Sequence, residues 1–163
     1  MQLIGGNITL MRSNFSKNFD LSRGAAIGVL SSPQNSALLI QDCSFVENNA
    51  SDIGGAIYLE SIGGIIMMMR SNFSKNFDFS SGAAIYLLSS LQNSEFFFED
   101  CIFFGNQANI SGGAIYLEAL YGNIKLLRNN FTLNYAISFG AAIYFNQYCK
   151  LFFVKKITSK INF

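Results

Sequence analysis

Met11–Ser36 reads MRSNFSKNFDLSRGAAIGVLSSPQNS, and Met69–Ser94 reads MRSNFSKNFDFSSGAAIYLLSSLQNS. The two 26-residue blocks differ at five positions and stand 58 residues apart. Two marks inside them recur along the chain. Phe-x-x-Asn occurs at Phe15/Asn18, Phe45/Asn48, Phe73/Asn76, Phe103/Asn106 and Phe131/Asn134. Gly-(Ala/Gly)-Ala-Ile begins at Gly24, Gly54, Gly82, Gly112 and Gly140. Each Phe precedes its Gly by nine residues, and the spacing between Gly motifs alternates 30, 28, 30, 28. Self-similarity at a fixed period of this size marks a stack of supersecondary units, each burying its apolar face against the next. Residues 1–163 are therefore read as one repeat domain, with five regular units over about 8–146 and a degenerate sixth over 147–163.

Local chemistry chooses the kind of stack. Helical repeats need apolar residues at i, i+3, i+4 and i+7 over about ten residues. Gly, Ser, Asn, Ile and Phe dominate here, and no segment keeps that spacing. A leucine-rich repeat is excluded because the positions two before each Phe are Ser13, Cys43, Ser71, Cys101 and Asn129. Short β-rich runs such as Leu38-Leu39-Ile40 and Ala56-Ile57-Tyr58-Leu59, set between Gly/Ser/Asn turns, predict roughly three strands per unit. The fold class is all-β: a parallel β-helix of about five coils, each 28–30 residues long.

Equivalent positions in such a stack lie about 4.8 Å apart, so each forms a column. Ile8, Leu38, Ile66, Phe96 and Ile124 form an apolar column, and so do Leu10, Ile40, Met68, Phe98 and Leu126. The column between them (Thr9, Leu39, Met67, Phe97, Lys125) is mixed, which is the period-two signature of a strand with one face inward. The Phe column and the Ile27, Ile57, Ile85, Ile115, Ile143 column complete the expected core. Alternation then turns Tyr58, Tyr86, Tyr116 and Tyr144 outward, in a column where Gly28 is also accepted.

Phe-x-x-Asn alternating with Gly-Gly-Ala-Ile resembles the repeats of the chlamydial polymorphic outer-membrane proteins. The matches are clearest at Phe45–Asn48 with Gly54–Ile57, and at Phe103–Asn106 with Gly112–Ile115. The resemblance covers roughly residues 8–146. It implies a right-handed parallel β-helix of the pectin-lyase-like kind, extracellular or at a cell surface, and commonly adhesive. The expectation is a non-enzymatic structural or adhesive segment of a longer protein. The alternative is a carbohydrate-binding or carbohydrate-cleaving β-helix.

Composition removes several function classes. Lys+Arg 11 against Asp+Glu 10 gives a formal charge of +1, which leaves no basic surplus for nucleic acid. Histidine is absent, so no His-based catalysis or metal site is available, and no cofactor is expected. The longest apolar run, Ile62–Met69, is far short of the roughly 20 residues of a membrane-spanning helix. Met1–Gly6 lacks the basic start and apolar stretch of a signal peptide.

The columns supply the candidate sites. Asn18, Asn48, Asn76, Asn106 and Asn134 are read as a structural ladder, because stacked amides bond to one another and to turn backbone. The outward tyrosines are a self-stacking ladder in the first reading and a stripe for stacking sugars in the second. Arg12, Asp42, Arg70, Asp100 and Arg128 alternate in sign, which predicts that each Asp lies between two Arg side chains on a corner. Glu60 and Glu118 share a column two coils apart, about 9.6 Å, near the upper separation of an inverting glycosidase pair. Leu88 lies between them and no Asp cluster supports them, so periodic copying accounts for the pair. Cys43 and Cys101 are likewise two coils apart, too far for a disulfide, and together with Cys149 are read as free. Six Asn-x-Ser/Thr sequons begin at Asn7, Asn14, Asn49, Asn72, Asn109 and Asn130. The two extra residues of alternate coils predict protruding loops at 31–36 and 89–94 as contact points for a protein or glycan partner. Without cap signatures at either end, end-to-end self-association of the isolated chain is expected.

Overall fold

The structure, a computed structural model, describes residues 2–4, 6–33, 35–60, 62–88, 94–118, 121–146 and 150–154. None of these is helical. After β1 (Gln2–Ile4), the first coil runs β2 (Ile8–Met11), β3 (Asn14–Ser16), β4 (Phe19–Asp20) and β5 (Ile27–Ser31). The second holds β6 (Ala37–Gln41), β7 (Ser44–Val46), β8 (Asn49–Ala50) and β9 (Ile57–Leu59), and the third β10 (Ile65–Met69), β11 (Asn72–Ser74), β12 (Phe77–Asp78) and β13 (Ile85–Leu87). The fourth holds β14 (Glu95–Glu99), β15 (Ile102–Phe104), β16 (Gln107–Ala108) and β17 (Ile115–Glu118). The fifth holds β18 (Asn123–Leu127), β19 (Asn130–Thr132), β20 (Tyr135–Ala136) and β21 (Ile143–Asn146), and β22 (Lys150–Val154) follows.

Every coil pairs in parallel with the next, giving two six-stranded and two five-stranded sheets. The register follows the repeat: Ile8↔Leu38, Ile66↔Leu38, Ile66↔Phe96 and Phe96↔Ile124 are Cα partners. The parallel β-solenoid expected from the columns is therefore the fold. A coil carries four strands instead of three, because the Phe-to-Asn stretch is bent in the middle. The bend is one left-handed residue, at Lys17, Glu47, Lys75, Gly105 and Leu133 (φ 54–62°).

Two further corners have the same origin. Arg12, Asp42, Arg70, Asp100 and Arg128 have φ of 44–53°, and the leading glycines of the five Gly motifs have φ of 59–71°. A single left-handed residue between extended segments turns the chain without breaking the coil-to-coil hydrogen bonds. The amide of Asp42 still donates to Met69 O at 3.1 Å and that of Glu47 to Ser74 O at 3.0 Å. For a residue with a Cβ this conformation costs roughly 1–2 kcal/mol, so the stacked neighbours must hold it in place. At the third corner the glycine is obligatory for a second reason. A Cβ at Gly54 would meet Ile57 O at 2.7 Å and the Tyr58 backbone at 3.2 Å.

Inside, Ile57, Leu59, Ile40, Met68, Phe45, Phe73, Phe96 and Phe98 belong to one continuous buried cluster along the axis. The expected loops at 31–36 and 89–94 fall partly or mostly outside the described residues; Ser36 and Ser94 at their ends are buried.

Candidate functional site

The Asn column is a complete ladder. Asn48 Oδ1 accepts from the backbone N and Nδ2 of Asn18 at 3.1 and 2.7 Å. Asn76 Oδ1 does the same for Asn48 at 3.0 and 2.9 Å, and Asn106 Oδ1 for Asn76 at 3.1 and 2.9 Å. Asn134 closes the series onto Asn106 at 3.0 and 2.9 Å. The second Nδ2 hydrogen goes to the Phe carbonyl of the preceding coil, as in Asn76 to Phe45 O at 3.0 Å. Beside it, Phe15, Phe45, Phe73, Phe103 and Phe131 stack face to face at 4.6–4.9 Å, with ring planes within 6°. Rung spacing in both ladders is set by the strand spacing of the coils.

The charged corner pairs up differently from the expected continuous chain. Arg70 grips Asp42 with two bonds, Nε–Oδ1 at 2.8 Å and Nη2–Oδ2 at 3.1 Å. Arg128 grips Asp100 in the same way at 2.7 Å each and also reaches Glu99 at 2.6 Å. Each Asp bonds to the Arg of the following coil, while the preceding Arg acts on it only through its charge. Hydrogen bonds from Arg70 and Arg128 hold the Asp42 and Asp100 carboxyls below the usual range, and Arg128 is held above its ordinary value.

The tyrosines stand outside the core cluster and stack on one another, Tyr58–Tyr86 at 5.8 Å, Tyr86–Tyr116 at 4.7 Å and Tyr116–Tyr144 at 5.2 Å. Exposure is where they depart from a sugar-stacking stripe. Tyr58 is 0% and Tyr86 7% exposed: the glycine corners lie against their backbones, Arg23 and Tyr86 meet the Tyr58 ring, and Tyr58 and Tyr116 flank the Tyr86 ring. Their hydroxyls are occupied too. Tyr58 donates to Glu60 at 2.8 Å and Tyr86 to Glu118 at 2.6 Å, and burial, followed by these carboxylates, raises both phenols. Glu60 and Glu118 are therefore tyrosine partners. Tyr116 and Tyr144 are half-buried.

At the head of this stack the first coil has Gly28 in place of a ring, and an open notch of about 440 Å³ results. Asp20, Arg23, Gly24, Gly28, Asp52 and Tyr58 line it. The Arg23 guanidinium lies 5.2 Å from the Tyr58 ring centre, where the missing rung would stand. It donates to the Tyr58 hydroxyl at 3.1 Å and lies 3.4 Å from Glu60 and 3.7 Å from Asp52. The repeat reading did not single out Arg23; the signal was available in the Gly28/Tyr86 and Arg23/Ser81 differences between the two near-identical blocks.

Cys43 and Cys101 are buried free thiols, and the one S–H of each has two backbone carbonyl acceptors within 3.3–3.5 Å. Burial pushes the Cys101 thiol up to about 12, so it is held as a thiol. Cys149 lies outside the described residues. Among the described residues no three His, Cys, Asp or Glu side chains gather as a metal site requires.

Asp78 is the other group that sequence reasoning missed. It is fully buried in a column whose neighbours are Ala50 and Ala108. Oδ1 accepts from Ser80 N at 2.6 Å and Oδ2 has no partner. Burial pushes its carboxyl up to about 8 against the bonds from Ser80 and Ser81, with the Asp52 charge adding to the rise.

Comparison with known proteins locates the repeat on two coils. Residues 42–60 and 100–118 match the Chlamydia polymorphic membrane protein (Chlamydia_PMP) repeat, each running from the Asp corner through Phe-x-x-Asn and Gly-Gly-Ala-Ile to the glutamate that holds a tyrosine. No curated protein and no solved structure is matched by the chain. Residues 42–60 and 100–118 thus carry a repeat of the Chlamydia polymorphic membrane protein type, within a chain laid out as a parallel β-solenoid.

Proposed function

We propose that this chain is a non-enzymatic β-helical segment of a secreted or surface-displayed protein, acting as a stalk and adhesive surface toward a protein or glycan partner. The observation that carries the reading is the repeat type together with the use made of its columns. Asn, Phe, Tyr and the corner Arg/Asp side chains are engaged coil to coil. Such engagement stiffens a rod and leaves few groups for chemistry. The carbohydrate-cleaving alternative needs two opposed carboxylates with room for a sugar between them. Glu60 and Glu118 are instead each bonded to a tyrosine hydroxyl on their own stack. The repeat type supports surface association, since the matched family is one of membrane proteins.

The test is direct. The purified chain, immobilised at defined density, is presented to cultured cells and to a panel of acidic and neutral polysaccharides. Saturable retention without release of reducing or unsaturated ends is expected. Turnover of any polysaccharide would establish the enzymatic reading in its place.

A further inference from the structure

The two 26-residue blocks are near copies, so their five differences are informative one by one. Two of the five, Arg23 for Ser81 and Gly28 for Tyr86, line the same notch. Where the third coil has a small residue beside a tyrosine rung, the first coil has a missing rung beside an arginine. The arginine occupies the vacated place, 5.2 Å over the Tyr58 ring. The notch therefore already holds one kind of chemical group on an aromatic floor: a planar cation.

The surrounding charge favours the same group. Asp52 and Glu60 lie within 3.4–3.7 Å of the Arg23 guanidinium, and Asp20 lines the notch as well. Three carboxylates face one arginine, so the site is anionic even when Arg23 is seated in it. Arg23 is tethered by one 3.1 Å hydrogen bond to the Tyr58 hydroxyl and by longer contacts to Glu60 and Asp52, and with its side chain 43% exposed an incoming cation can displace it. At about 440 Å³ the space falls within the 300–1,000 Å³ range of small ligand sites and admits a second side chain. An aromatic face with carboxylates at its rim is the environment in which a guanidinium or ammonium is held by cation–π attraction.

We propose that this notch is a binding site for a cationic side chain, an arginine or lysine presented by a basic segment of a partner protein, which takes the place of Arg23 over Tyr58. The site is independent of where the segment is displayed. It confines partner contact to the first described coil, because Tyr86, Tyr116 and Tyr144 fill the same position in coils three to five.

The probe is a fluorescently labelled tri-arginine peptide, with its tri-citrulline counterpart as the neutral control, read by anisotropy at physiological salt. The wild-type chain should bind tri-arginine at least tenfold more tightly than tri-citrulline. Gly28→Tyr restores the rung found in coil three, where a Cβ at Gly28 meets only Arg23 O at 3.8 Å, and it changes no charge. It should weaken binding at least tenfold while leaving the melting temperature unchanged or higher. Arg23→Ser removes the internal competitor and should tighten binding, and the double variant, which copies coil three, should bind no better than Gly28→Tyr alone. Equal binding by wild type and Gly28→Tyr would reduce the attraction to diffuse charge and overturn the site. So would weaker binding by Arg23→Ser, or displacement of tri-arginine by a neutral oligosaccharide, which would assign the notch to a sugar.

Discussion

At the scale of single residues, the stack is most exposed to change where a polar group is buried. Asn76 illustrates the cost of losing a rung. Its removal leaves the Asn48 amide donors, the Phe45 carbonyl and the Asn106 acceptor short of partners, all in the interior. An unsatisfied buried group costs about 1–3 kcal/mol, so Asn76→Ala should destabilise by about 3 kcal/mol or more. Asn18→Ala, in the half-buried first coil, should cost about 1 kcal/mol. Equal losses in denaturant titrations would show that the ladder is not what holds the interior coils. Asp78 has the opposite character, because it destabilises as it stands. Its folded carboxyl titrates near 8 against a reference of 3.8, so between those values the folded chain keeps a proton that the unfolded chain releases. Stability should therefore fall as pH rises from about 4 to 8 and level off above. Asp42 and Asp100 are shifted the other way, and their contribution is lost only at more acid pH. Asp78→Ala copies its neighbours Ala50 and Ala108 and should flatten the decline. At pH 8 it should be more stable than wild type by about 1–3 kcal/mol, and near pH 5 the gain should vanish with the lost Ser80 bond. A parallel decline in both proteins from pH 5 to 8 would assign the pH response to another group.

At the scale of the element, the coil corner decides what the repeat can tolerate. Asp100 occupies a left-handed corner, and its carboxylate is bonded twice to Arg128 of the next coil. Asp100→Ala and Asp100→Arg both lose those bonds and the ease with which Asp adopts φ near 53°. The difference between them therefore reports charge alone. Asp100→Arg should be the less stable of the two, with Arg70 and Arg128 on either side, and the gap should narrow as salt rises from 0.05 to about 1 M. Identical melting temperatures at low salt would remove electrostatics from the account. The corner also shows what the sequence makes legible. Column alignment gives the strand register, Ile8 to Leu38 to Ile66, because a repeat that stacks must place like on like. It does not give the left-handed φ of Arg12 or Lys17, since a charged residue carries no mark of its backbone; only Gly105 among Lys17, Glu47 and Lys75 hints at it. Alternation turns Tyr58 away from the Ile57 and Leu59 columns but does not show that it is fully buried or what covers it. That depends on the Arg23 and Tyr86 side chains that meet its ring and on the Gly24 and Gly54 corner against its backbone, tertiary contacts with no one-dimensional trace. The notch was hidden for a similar reason, because a missing side chain at Gly28 reads as tolerance until its neighbours are in place.

At the scale of the molecule, the ladders have a direction, and direction governs how two copies meet. Each Asn sends its backbone N and Nδ2 to the Oδ1 of the coil that follows, so the first coil faces outward with the Asn18 acceptor and the fifth with the Asn134 amide. Among the described residues β3 and β4 open one end of their sheets and β19 and β20 the other. Open parallel edges carry unpaired backbone groups and template the addition of another strand. Phe15 and Phe131 are the first and last rings of the Phe stack; Phe15 is half-buried and Phe131 is 2% exposed, so the rings leave little apolar face at either end. Through the Asn ladder and the open edges the two ends are complementary to each other and not to themselves, which favours head-to-tail over head-to-head contact and an open series over a closed dimer. The 163-residue chain on its own should form a concentration-dependent ladder of oligomers, measured by light scattering at micromolar concentration. A lysine on the edge is the device that natural sheets use against such addition. Phe19 lies on β4, is 59% exposed and stands outside the buried cluster, so Phe19→Lys removes no core contact. It should lower the mean oligomer size at a given concentration without lowering the melting temperature. A monodisperse monomer for the unmodified chain, or an unchanged size distribution for Phe19→Lys, would mean that these ends are not the surfaces through which copies meet.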